Sequence, residues 1–112
     1  MHQLTFSSQS NLVLKHLSQS QQMHLIDFLS SFNFEAIDGF EKIVRNGKTY
    51  YRLHWKDFRI YFESLSETEF LIHYLIPKHT WNDFLFRSKL PFNEKAIEKD
   101  PQFWQFLENL KK

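Results

Sequence analysis

Thr49-Tyr50-Tyr51-Arg52-Leu53-His54-Trp55-Lys56-Asp57-Phe58-Arg59-Ile60-Tyr61-Phe62-Glu63 is the stretch that decides the fold. It holds two β-rich runs, Thr49 to Trp55 and Phe58 to Glu63, on either side of Lys56-Asp57. Successive side chains of a strand point to opposite faces, and a two-residue loop fixes which residues meet across a hairpin. Trp55 then faces Phe58, Leu53 faces Ile60 and Tyr51 faces Phe62, all on one apolar face. On the other face His54 meets Arg59, Arg52 meets Tyr61 and Tyr50 meets Glu63. Each run separately offers an apolar and a polar face, and the turn brings like faces together. A four-residue loop would keep the same faces. The reading is an antiparallel hairpin with one side committed to a core.

Working outward, Ser64 to Glu69 is a polar turn and Phe70 to Pro77 a third strand. Strict alternation puts Phe70, Ile72, Tyr74 and Ile76 on one of its faces and Leu71, His73 and Leu75 on the other. Upstream, His2 to Phe6 reads as a short strand. Ser8 or Ser10 is placed to cap a helix through Asn11 to Leu17. Ser18 and Gln21 have capping-box spacing ahead of a second helix. Its stripe is Gln22, Leu25, Ile26, Leu29 and Phe32, so the two helices form an αα-hairpin. Asn33 to Lys48 reads as a connection with a short turn around Phe40 to Val44. Downstream, Asn93 is placed to cap a short turn through Ala96. Asp100-Pro101 starts a last helix, Asp as N-cap and Pro at the first helical position. Its stripe of Phe103, Phe106, Leu107 and Leu110 is too apolar to stay in water, and is expected to dock on the same domain.

The resulting order is β-α-α-β-β-β-α. The fold class is α+β in two layers, an antiparallel sheet packed on an N-terminal helical hairpin, with a C-terminal helix. The polar face carrying Arg52 and Arg59 is expected to stay at least partly open.

Composition agrees with one domain. The chain has 112 residues, 42% of them hydrophobic and 24% charged, which excludes a disordered chain. The core is aromatic for its size, drawing on 13 Phe, 4 Tyr and 3 Trp. With no Cys there is no disulfide, no thiol chemistry and no Cys-ligated zinc. The six His show no metal-ligand spacing, and no metal or other cofactor is expected. The first residues lack the basic and apolar regions of a secretory signal, and no apolar run approaches a membrane span, so a cytoplasmic protein is expected. No phosphate-binding loop, dinucleotide fingerprint or Gly-x-Ser-x-Gly elbow occurs.

The net charge is only +1, but it is unevenly spread. Lys42, Arg45, Lys48, Arg52, Lys56 and Arg59 fall within one short segment against a single acid, Asp57. Such a local excess can attract anions on a nearly neutral protein; equally it can be a solvated sheet face. Arg52, His54 and Arg59 share a face by register alone, which makes them a candidate phosphate site with His54 as a general base. His73, among Leu71 and Leu75, reads as an interior group. Trp55 belongs to the apolar face, while Trp81 is open to either role.

Tyr51-Arg52-Leu53-His54 followed by Asp57-Phe58-Arg59-Ile60-Tyr61, then an apolar strand ending in Ile76-Pro77-Lys78-His79, resembles the RelE/ParE superfamily of bacterial toxins. The resemblance covers about Gln3 to Phe86. It implies a RelE/ParE-like domain over residues 1–90 and a C-terminal helical extension over 91–112. It implies a toxin that binds RNA and inhibits translation by ribosome-dependent mRNA cleavage, an endoribonuclease in which a ribose 2′-OH attacks the adjacent phosphate. Carried over by position, Arg52 and His54 take the two basic places of the strand, Arg59 the phosphate-binding arginine, and Lys78 or His79 the basic place after the last strand. The candidate catalytic set is then Arg52, His54, Arg59 and His79, and the candidate RNA- and phosphate-binding set is Lys48, Lys56, Lys78 and Trp81. The partners implied are an antitoxin protein and the mRNA on its ribosome, with a homodimer as a further candidate and no membrane. The tyrosine or histidine usual near the end of the toxin core has no match, Phe84 and Leu85 standing closest. A non-catalytic protein- or nucleic-acid-binding module on the same fold, or a ParE-like gyrase inhibitor, therefore stays open.

Overall fold

The central hairpin has the register its alternation dictates. In the computed structural model, β3 (Lys48–Trp55) and β4 (Phe58–Ser64) pair antiparallel, with Tyr51 opposite Phe62, Arg52 opposite Tyr61, Leu53 opposite Ile60, His54 opposite Arg59 and Trp55 opposite Phe58. Leu53, Trp55, Phe58, Ile60 and Phe62 are buried and Tyr51 partly so. The structure describes residues 3–32, 39–78, 80–90, 99 and 101–110. Around the hairpin lie β1 (Gln3–Phe6), α1 (Ser8–His16), α2 (Gln19–Ser31), β2 (Glu41–Arg45), β5 (Glu69–Pro77), α3 (Trp81–Arg87) and α4 (Pro101–Leu110).

The class is α+β, but the element order departs from expectation. The sheet has five strands in the order β1-β5-β4-β3-β2. It is mixed rather than antiparallel, because β1 runs parallel to β5. The extra strand is β2, where a connection with a short turn was expected. Arg45-Asn46-Gly47-Lys48 is a two-residue hairpin turn, with φ of 50° at Asn46 and 78° at Gly47. Positive φ at both central positions is what a twisted hairpin demands, and Asn-Gly supplies it most readily.

β5 also departs from strict alternation. Tyr61 pairs with Tyr74 and Phe62 with Ile72, so His73 is an extra residue in a β-bulge. The bulge switches the faces. Phe70 and Ile72 lie on the Phe62 side, whereas Tyr74 and Ile76 lie on the side of Tyr61 and Arg59. The four expected to share one face are therefore split between two.

α1 begins earlier than expected, with Ser7 as its N-cap. Its first turn finishes the work of β1. Beyond Phe6, the Gln9 amide donates to the Leu75 carbonyl and accepts from the Leu75 N–H, both at 2.9 Å. Ser10 Oγ donates to the Ile72 carbonyl at 2.8 Å. These buried side chains satisfy backbone groups of β5 that a longer β1 would have met. The capping box of Ser18 and Gln21 forms as its spacing required. Leu25 and Leu29 of α2 are fully buried, but Ile26, expected in the same stripe, is 38% exposed. Phe28, Phe32, Phe40 and Phe62 then link α2 to the apolar sheet face through ring contacts of 5.0–5.9 Å.

α4 docks on the same chain. Phe103 and Leu107 are buried, Phe106 meets Phe58 edge-on at 5.3 Å, and Trp104 meets His16 of α1 at 5.0 Å. Asp100, its expected cap, lies outside the described residues, as do the Asn93 to Ala96 turn and the Leu110 side chain. Among the described residues no helix is long and apolar enough to cross a membrane.

The two-layer expectation needs one correction. α3 packs on the opposite face of the sheet from the hairpin of α1 and α2. Phe86 is buried against Tyr50, Tyr61 and Tyr74, with ring centroids 4.3–5.2 Å away. Arg45 fixes the far end of α3, donating to the carbonyls of Leu85, Phe86 and Leu90 at 2.8–3.2 Å. The middle of the polar face is thereby covered.

Candidate functional site

The polar face of β3 and β4 carries the candidate site, and the hairpin register puts its members side by side. His54 is exposed and sits across from Arg59. Arg52 lies two residues back along β3, where it pairs with Glu41 of β2, its cross-strand neighbour. Lys78 follows β5; its backbone N–H donates to the Asp57 carbonyl and its Nζ to the Lys56 carbonyl, each at 2.8 Å. These bonds fold Lys78 against the β3–β4 turn, close enough to His54 to act on it. Crowding of the imidazole, then the positive charges of Lys78, Arg52 and Arg59, push the His54 pKa below its ordinary value; Asp83 opposes them. His54 is therefore neutral at pH 7, with a ring nitrogen able to accept a proton.

Arg59 is differently placed from expectation. Its guanidinium does not lie open to solvent but donates to Asp83 of α3. Asp83 is fully buried. Its Oδ2 also accepts from Arg87 Nε at 3.0 Å, and its Oδ1 accepts from the Tyr61 hydroxyl at 2.5 Å. Burial and the bond to Asp83 raise the Tyr61 pKa far above the phenolic range, so Tyr61 stays a proton donor to this carboxylate. Thr80 caps α3 through the Asp83 N–H at 3.3 Å, which fixes the helix turn that aims Asp83 at the sheet.

Of the other expected residues, Lys56 is exposed in the turn with its Nζ over the Trp55 ring, 5.1 Å from the centroid. It adds to the local field. Lys48 does not join the site: it opens β3 whereas the cluster lies at its other end, roughly 20 Å away at about 3.3 Å per residue. Trp55 is a core residue. Trp81 opens α3, and its side chain, like the whole of His79, lies outside the described residues. His73 is paired, its Nδ1 2.8 Å from Glu63 Oε1 and its ring against Tyr50 and Tyr74. The described residues hold no group of three or more potential metal ligands.

Asp83, Arg87 and Tyr61 belong to the site and were not singled out from sequence. A usable signal existed for Asp83: Thr80-x-x-Asp83 has the spacing of a helix start directly after the last strand. Nothing local marked its partner as Arg59.

No protein-family model, curated protein or solved structure matches this chain, so its chemistry rests on its own residues.

Proposed function

We propose that this protein acts on RNA as a RelE-like toxin-type ribonuclease. The reading rests on one observation above others: an exposed His54 held in register with Arg59, with Arg52 two residues back on the same strand and Lys78 bonded to the adjoining turn. In the reaction, His54 takes the proton from a ribose 2′-OH. The 2′ oxygen attacks the adjacent phosphorus, and the bond to the 5′ oxygen breaks. A 2′,3′-cyclic phosphate and a 5′-hydroxyl end result once the leaving oxygen is protonated. Arg52, Arg59 and Lys78 offset the charge that gathers on the phosphoryl oxygens. His79, next in sequence to Lys78, is the candidate acid. An mRNA on the ribosome is the substrate this reading implies, and an antitoxin its controlling partner.

A second reading is favoured by a different observation, the engagement of Arg59 by Asp83 under α3. It makes this face an anion-binding surface without a chemical step. His54→Ala separates the two. General-base loss lowers cleavage of mRNA on programmed ribosomes by about 10²–10⁴-fold with binding retained. If no variant, and not the parent protein, cuts RNA while RNA still binds this face, the binding module is the correct reading.

A further inference from the structure

Two cations share one oxygen of a single buried anion. Arg59 Nη1 and Arg87 Nε both donate to Asp83 Oδ2, while Tyr61 donates to Oδ1. Breaking a buried ion pair is normally costly because it strands a charge. Here the departure of Arg59 strands nothing. Arg87 stays on the same oxygen, one helix turn from Asp83, and Tyr61 stays on the other. Arg59 for its part is not saturated: its Nε is buried without an acceptor among the described residues. The guanidinium therefore makes an end-on contact where a phosphate would offer two parallel bonds. Charge points the same way. Arg59, Arg87 and Asp83 sum to one positive charge, and a phosphodiester would bring the group to neutrality.

We infer that Asp83 is the specificity-determining residue of the anion site: it holds Arg59 in reserve, and an oxyanion able to take the guanidinium through two bonds displaces it, with Arg87 remaining as the counter-ion of Asp83. The inference rests on reading the His54 face as an RNA site and adds how that site selects phosphate. Weakly coordinating anions do not release Arg59, because they must compete with a carboxylate already in place. The face is therefore selective despite its diffuse positive field.

The test is a titration of the full chain with inorganic sulfate, followed by NMR shifts of the Arg59 and His54 side chains. Asp83→Asn removes the competing charge and tightens sulfate binding about tenfold, the size of a typical coupling between sites. In an Arg59→Met background the same substitution has no such effect. An unchanged affinity, or an equal gain in both backgrounds, overturns the inference, the latter because it reports only a more positive field. Should Asp83→Asn fail to fold, Arg87→Met serves instead. Asp83 then keeps Arg59 as its only cation, beside the Tyr61 hydroxyl, and sulfate binds about tenfold more weakly, a loss absent in the Arg59→Met background; unchanged binding, or an equal loss in both backgrounds, overturns the inference. No step of this test requires RNA cleavage, so the anion latch and the ribonuclease reading can fail separately.

Discussion

At the scale of single residues, Arg59 is coupled both to His54, its cross-strand neighbour, and to Asp83, with which it pairs. His54 is kept neutral by crowding and by Lys78, Arg52 and Arg59. Its imidazole is expected to titrate below 6.5 in an NMR pH series, and to move back towards 6.5 in Lys78→Gln or Arg52→Gln. A midpoint at or above the ordinary value would remove the electrostatic account of the site. The sign for stability follows. Between the lowered value and 6.5 the unfolded chain binds more protons than the folded one, so His54 costs stability as pH falls through that window and costs none above it. Asp83 needed no rare residue type to become central. A carboxylate that is fully buried must find donors, and Arg59, Arg87 and Tyr61 are those donors. That Arg59 is paired with a carboxylate and not open was not legible in β4, because its exposure depends on α3, an element the alternation of β4 says nothing about.

At the scale of elements, the β2–β3 hairpin rests on backbone conformation. Gly47 has a φ of 78°, and a Cβ there would meet nothing within 4 Å. Gly47→Ala is thus a purely conformational change, expected to cost about 1–2 kcal/mol in urea unfolding. Gly39→Ala, also in open space and without such a φ, is the control and should leave stability unchanged or slightly raised. Equal losses at both positions would mean that the turn conformation is not what holds β2 in place. Asn46-Gly47 is a hairpin signal that the reading of Asn33 to Lys48 as a connection passed over, because the polar Lys42, Arg45 and Lys48 obscure the strands on either side. β3 and β4 were legible because both alternate cleanly. β5 was legible as a strand but not in its faces, since a bulge at His73 is set by what the strand must touch on each side.

At the scale of the whole molecule, α1, α2 and α4 cover the apolar side of the sheet and α3 the polar side. α4 ties the end of the chain to both α1 and β4 through Trp104 and Phe106. Leu107 is fully buried in this arrangement. Leu107→Ala is expected to lower stability by about 2–5 kcal/mol without changing the oligomeric state, because the cavity forms inside one chain. A change from dimer to monomer, measured by light scattering, with stability intact would place α4 between chains instead. The stripe alone required only that this helix leave water; that it does so against α1 and β4 of its own chain is what the tertiary structure adds.

By itself the sequence determined what short-range physics decides. The alternation around Lys56-Asp57 fixed the register of β3 and β4, Ser18 and Gln21 fixed the start of α2, and the stripe of Phe103, Phe106 and Leu107 fixed that the last helix must be buried. Each depends on neighbours within a turn or on pairing across a short loop. Only the tertiary structure decided that β1 lies parallel beside β5, that His73 bulges, and that α3 lies over the polar face with Asp83 on Arg59. Those contacts join residues far apart in the chain. Several packings compete for each surface, and residue type alone does not rank them. The identity of Arg59 was readable, but whether it meets solvent or a carboxylate depends on where α3 comes to rest.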